Sequence, residues 1–125
     1  MSIQGTYAFV YSGVNGFGIG VFTVADDKFE GIDYVGGRYS GTARENDDRS
    51  ISIAIMVLVQ GTASQELPHR RRVEHRMPPG FGDGAPVEIP SPPGVVTVMV
   101  KRIPDEYARA LTEGLTVSIG DWRLS

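Results

Sequence analysis

A chain of 125 residues holds about one domain's worth of core, so the expectation is a single domain over 1–125. With 41% hydrophobic and 22% charged residues, a net charge of −3 and no cysteine, the composition is that of a soluble globular protein. It excludes a disulfide framework, thiolate chemistry and a cysteine zinc site, and offers no basic field for nucleic acid.

The amino terminus, "MSIQGTYAFVYSG", lacks the basic, apolar and small-residue regions of a signal peptide. The longest apolar run, "ISIAIMVLV" at 51–59, is too short for a spanning helix. A cytoplasmic protein without membrane contact is expected.

Sixteen glycines and eight prolines punctuate segments rich in Val, Ile, Tyr, Phe and Thr, which is an all-β rhythm. Strands are predicted at 5–11, 17–24, 28–34, 37–43, 50–59, 70–76, 95–101 and 115–119. Between the early ones, "SGVNG", "ADD" and "VGG" are short turn signals, implying that sequential strands pair antiparallel. Such a meander forms either a two-sheet sandwich or a closed barrel. Closure removes the exposed edges, so an antiparallel up-and-down barrel of about eight strands is expected.

In "NGFGIGVF" the period of two puts Phe17, Ile19 and Val21 on one face and Gly18, Gly20 and Phe22 on the other. Two glycines on one face mark sharp coiling or the close approach of a backbone or ligand. Tyr7, Phe9, Phe22 and Tyr39 are candidates to line the barrel interior, where they either pack as core or hold a small apolar ligand.

The segment 77–94, "MPPGFGDGAPVEIPSPPG", is predicted to be a long surface loop because of its Pro and Gly content. One short helix is predicted over 104–114: Pro104 and Asp105 open it, Gly114 ends it, and Tyr107, Ala110 and Leu111 share a face that would pack against the barrel or cover one mouth.

Chemistry-bearing motifs are sparse. "GVNGFGIG" does not have the G-x-G-x-x-G spacing and no helix follows it, and there is no G-x-S-x-G elbow. The two histidines, His69 and His75, lie six apart, too far to share one metal from a single strand. No catalytic residue, metal or cofactor is assigned, and a non-enzyme is expected. The basic run "HRRRVEHR" at 69–76 fits either a charged, guarded edge strand or a patch for an acidic partner, including an acidic turn of a second copy. The run "ARENDDRS" at 43–50 sets Glu45, Asn46, Asp47 and Asp48 in a charged turn between two strands, flanked by Arg44 and Arg49.

The first 60 residues carry Gly5 and Tyr7, Gly18 and Gly20, Gly31 and Asp33, Tyr39 and Gly41, then the acidic turn and an alternating apolar strand. This pattern resembles the small negative regulators of type III secretion, of the kind encoded in the enterocyte-effacement locus. The resemblance implies a lipocalin-like barrel with a short helix, a homodimer, and capture of a transcriptional activator by the acidic turn at Glu45, Asn46, Asp47 and Asp48. Here Asn46 interrupts the acidic run. Two functions follow as expectations: a non-enzymatic regulator binding a protein partner with a basic surface, or a carrier of a small apolar ligand.

Overall fold

The computed structural model describes residues 3–13, 16–59, 69–80, 82–91, 94–104, 106, 107, 109, 110 and 113. Eight strands, β1 (Gly5–Gly13), β2 (Gly16–Ala25), β3 (Lys28–Asp33), β4 (Arg38–Glu45), β5 (Ile51–Val59), β6 (His69–Met77), β7 (Asp83–Ser91) and β8 (Gly94–Ile103), form one antiparallel sheet in the order β6-β5-β4-β3-β2-β1-β8-β7. The sheet curls into a nearly closed barrel. Residues 78–82 join the two outermost strands, β6 and β7. The six steps from Met77 to Asp83 reach at most ~21 Å, whereas seven spacings of a flat sheet measure ~34 Å, so the sheet must bend its ends together. The seam thus lies between two strands adjacent in sequence, while β1 and β8 are zipped together from Thr6↔Ile103 to Ser12↔Thr97.

The barrel fills with aromatic side chains laid over glycines. Tyr11 is the cross-strand neighbour of Gly18, Phe9 of Gly20, Phe22 of Gly31 and Phe29 of Gly41. A Cβ on Gly18 would sit 2.3 Å from the Tyr11 hydroxyl, and one on Gly20 would sit 2.5 Å from the Phe9 ring and 2.4 Å from the Ile32 carbonyl. The glycine pair of β2 therefore makes room for the protein's own rings. Tyr7, Phe9, Phe22 and Phe29 are all buried, in one cluster with Val24, Ile51 and Met77.

Two expectations are corrected. Residues 83–91 are a strand, where a loop over 77–94 is predicted, because β7 alternates Val87 and Ile89 inward with Pro86, Glu88 and Pro90 outward. β7 is an edge strand, so its two prolines need not cost ladder hydrogen bonds. In the 104–114 segment the described residues Glu106, Tyr107, Arg109, Ala110 and Glu113 are helical, but Tyr107 is 61% exposed and Ala110 is exposed. Neither packs on the barrel or covers a mouth. Leu111 and the strand predicted at 115–119 lie outside the described residues.

Gly20→Ala should destabilise the fold by about 1–3 kcal/mol, since the new methyl meets both a ring and a backbone carbonyl. Urea unfolding measures this, and a loss within error of zero would contradict the close packing of Phe9 on β2.

Candidate functional site

In an up-and-down meander every second turn falls at the same end. The β2–β3 and β4–β5 turns share one end of the barrel, side by side, because β3 pairs with β4 and the Ala43 N–H donates to the Asp27 carbonyl at 2.9 Å. Asp26 and Asp27 both have positive φ, 51° and 65°, as a two-residue type I′ hairpin requires. Arg44, next in sequence to the acidic run that begins at Glu45, has its Nε 3.8 Å from Asp27 Oδ2. The charged site is therefore two turns wide.

The β4–β5 turn is tightly built. The Arg49 N–H donates to the Asn46 carbonyl at 2.9 Å, the Asn46 N–H donates to the Ser50 carbonyl at 2.8 Å, and Arg49 takes φ 72°. Ser50, 4% exposed, is the node. Its hydroxyl donates to Asp48 Oδ1 at 2.5 Å and accepts from Asn46 Nδ2 at 3.0 Å and from Arg76 Nε at 2.8 Å. The Ser50 N–H also donates to Asp48 Oδ1, at 3.0 Å, and Arg76 on β6 reaches Asp48 Oδ2 at 3.2 Å. Those Ser50 hydrogen bonds, and secondarily the Arg76 charge, hold the Asp48 carboxyl below the ordinary carboxylate range.

Of the four residues predicted to dock a partner, Asn46 and Asp48 thus spend their side chains inside the turn. Glu45 and Asp47 are exposed on a backbone that this network fixes.

The four residues predicted to line a ligand site come together in the interior, but they pack on one another. The ring centroids of Tyr7 and Phe22 are 4.9 Å apart, those of Phe9 and Phe22 5.8 Å, and those of Phe9 and Tyr39 5.4 Å, with Phe29 stacked on Phe22 at 4.3 Å.

Beyond Phe9 lies a polar cluster of which the predicted site includes Tyr39 alone. Asp33, 3% exposed, accepts from the Gly37 N–H at 2.7 Å, the Val35 N–H at 3.1 Å, the Tyr39 hydroxyl at 2.6 Å and the Tyr11 hydroxyl at 3.4 Å. Burial, and then the Asp33 charge, push both tyrosine hydroxyls above their ordinary pKa. A Cβ on Gly37 would sit 2.5 Å from Asp33 Oδ2, so that glycine is needed for the carboxylate to enter. Asp33 has its hydrogen-bonding capacity taken up in closing the β3–β4 turn.

The basic run is β6, an edge strand paired on one side with β5 from Ile51↔Met77 to Val59↔His69. Its arginines are partly engaged: Arg72 pairs with Glu74 at 2.5 Å and Arg76 with Asp48. Among the described residues no group of three or more His, Asp or Glu could hold a metal ion, and no helix is long and apolar enough to cross a membrane.

The Asp48 carboxyl should titrate below a free aspartate by NMR. Ser50→Ala should move it up toward the ordinary range by more than Arg76→Ala does, because the Ser50 hydroxyl it removes is the leading cause, while the backbone N–H remains. A group with a depressed folded pKa adds stability above its unfolded pKa and loses it as pH falls through the folded value. Acid should therefore loosen this turn in wild type, and less in Ser50→Ala. An Asp48 pKa unchanged by Ser50→Ala would contradict the network.

Compared with known proteins, the chain matches no family model, no curated protein and no solved structure.

Proposed function

We propose that the chain is a non-enzymatic cytoplasmic regulator that binds a protein partner with a basic surface, using the charged end of the barrel formed by the β4–β5 and β2–β3 turns. One observation carries this reading: a hydrogen-bonded network through Ser50 sets the turn in one shape while Glu45 and Asp47 remain exposed beside Asp26 and Asp27. A preordered loop loses little entropy on docking, and exposed charges steer encounter and select the partner more than they add affinity. The resemblance of the first 60 residues to negative regulators of type III secretion makes a transcriptional activator the kind of partner to test first. The alternative, a carrier of a small apolar ligand, has less support, since Tyr7, Phe9, Phe22 and Tyr39 occupy the interior with each other.

The test is native mass spectrometry of the protein recovered from its own cells, comparing wild type with Glu45→Lys/Asp47→Lys. A protein partner should be held by wild type, weaken as salt rises, and bind the variant at least about tenfold less tightly. A partner bound equally by both, or a small apolar adduct with no protein in either, would overturn the proposal.

A further inference from the structure

The two ends of the barrel differ in what their turns expose. The β2–β3 and β4–β5 turns are acidic. The β1–β2, β3–β4 and β7–β8 turns share the other end, and there the exposed residues include large apolar ones: Phe17 is 74% exposed, Val35 53%, Val95 48% and Tyr34 39%. These turns are neighbours. The Tyr34 N–H donates to the Ile19 carbonyl at 3.0 Å, which holds the β3–β4 turn against β2. A Cβ on Gly13 would sit 3.3 Å from the Val96 side chain, which places the β1–β2 turn against the start of β8. Turns at a protein surface ordinarily carry polar residues, so large apolar side chains on three adjacent ones mark a contact surface.

Placement and charge indicate what is contacted. The apolar side chains stand on separate hairpins around the rim, so one flat, yielding surface meets them all, whereas a partner's helix or strand would follow one or two. The β3–β4 tip is fixed from beneath: Asp33 accepts from the Val35 and Gly37 N–H groups, so little order is lost when Val35 docks. Within three residues of the turns at this end, the described residues hold one carboxylate, Asp33, which is buried, and three arginines, Arg38, Arg70 and Arg71, all exposed. Arg38 and Arg70 flank Leu58 in one cross-strand row. The exposed acids Asp26, Asp27, Glu45 and Asp47 belong to the opposite end. An anionic surface thus attracts one end and repels the other, and a chain of net charge −3 still meets it tips first. Aromatic and aliphatic tips with arginines just behind them have the layout of an interfacial membrane contact.

We propose that the β1–β2, β3–β4 and β7–β8 end of the barrel binds the surface of an anionic lipid bilayer. Phe17, Tyr34, Val35 and Val95 enter the headgroup layer, and Arg38 and Arg70 meet the anionic headgroups. The barrel stands on the membrane without crossing it, and the acidic turns face away. The contact is separate from those turns and does not rest on the function proposed for them. The expectation of no membrane contact rests on the lack of a spanning segment, which surface binding does not require.

Co-sedimentation of the full chain with vesicles tests it. Wild type should bind phosphatidylcholine–phosphatidylserine vesicles at least about tenfold more tightly than phosphatidylcholine vesicles, and high salt should remove most of the difference. Phe17→Ser/Val35→Ser and Arg38→Gln/Arg70→Gln, all at exposed positions, should each weaken binding to the mixed vesicles about tenfold, with circular dichroism unchanged. Because charge alone could hold a protein near such vesicles, Phe17→Trp supplies a second measurement. Its emission should shift to the blue on the mixed vesicles by more than that of wild type, whose one tryptophan is Trp122. Wild type left in the supernatant, binding that ignores phosphatidylserine or the Phe17→Ser/Val35→Ser change, or an unshifted Phe17→Trp emission would each overturn the proposal. So would a protein partner held through Phe17 and Val35 with no vesicle binding.

Discussion

The structure depends on one repeated contact: an aromatic ring placed over a glycine on the neighbouring strand. Eight strands enclose an interior only wide enough for side chains, and this barrel must accommodate six inward-facing rings on its first four strands, those of Tyr7, Phe9, Tyr11, Phe22, Phe29 and Tyr39. It does so by pairing Tyr11 with Gly18, Phe9 with Gly20, Phe22 with Gly31 and Phe29 with Gly41, across three successive strand pairs. Each glycine supplies space for a ring and lets its strand coil, while each ring covers the backbone that the glycine leaves bare. The cost of glycine in a strand is thus offset by the burial it permits. The same pairing fixes register, because a one-residue slip would turn every ring outward and set it against a Cβ.

From this packing the two ends of the barrel acquire different characters. One is closed by Tyr7, whose hydroxyl donates to the Ile3 carbonyl at 2.5 Å and whose ring lies under the Arg102 guanidinium, 5.4 Å from its centroid. The other is closed by Asp33 with Tyr11 and Tyr39. A buried carboxylate is tolerable there because backbone and hydroxyl donors replace its water. Between these two ends the rings pack on one another.

Much of this was legible in the sequence, where the physics is local. Turn chemistry and alternation place β1 to β6 and β8 within a few residues, and the charged character of 45–48 is plain. What was not legible depends on which strand lies beside which. β7 is hidden by Pro86 and Pro90, residues that argue against a strand unless its free edge is known to be there. The glycines of β2 could be seen to share a face, but not that Phe9 and Tyr11 fill the space. Asp48 looked free for a partner because Arg76 stands 28 residues away, and only the β5–β6 pairing brings it near. Asp26 and Asp27 looked like an ordinary turn, and the meander alone makes them neighbours of the acidic run.

The placement of edge guards follows from the same meander. Of the two seam strands, β6 has one unpaired edge, and arginines along it discourage unwanted strand addition, as the prolines do on β7. The six strands between them have both edges paired and need no such guard. They can therefore carry outward apolar residues such as Val10 and Ile19 without inviting edge-to-edge aggregation.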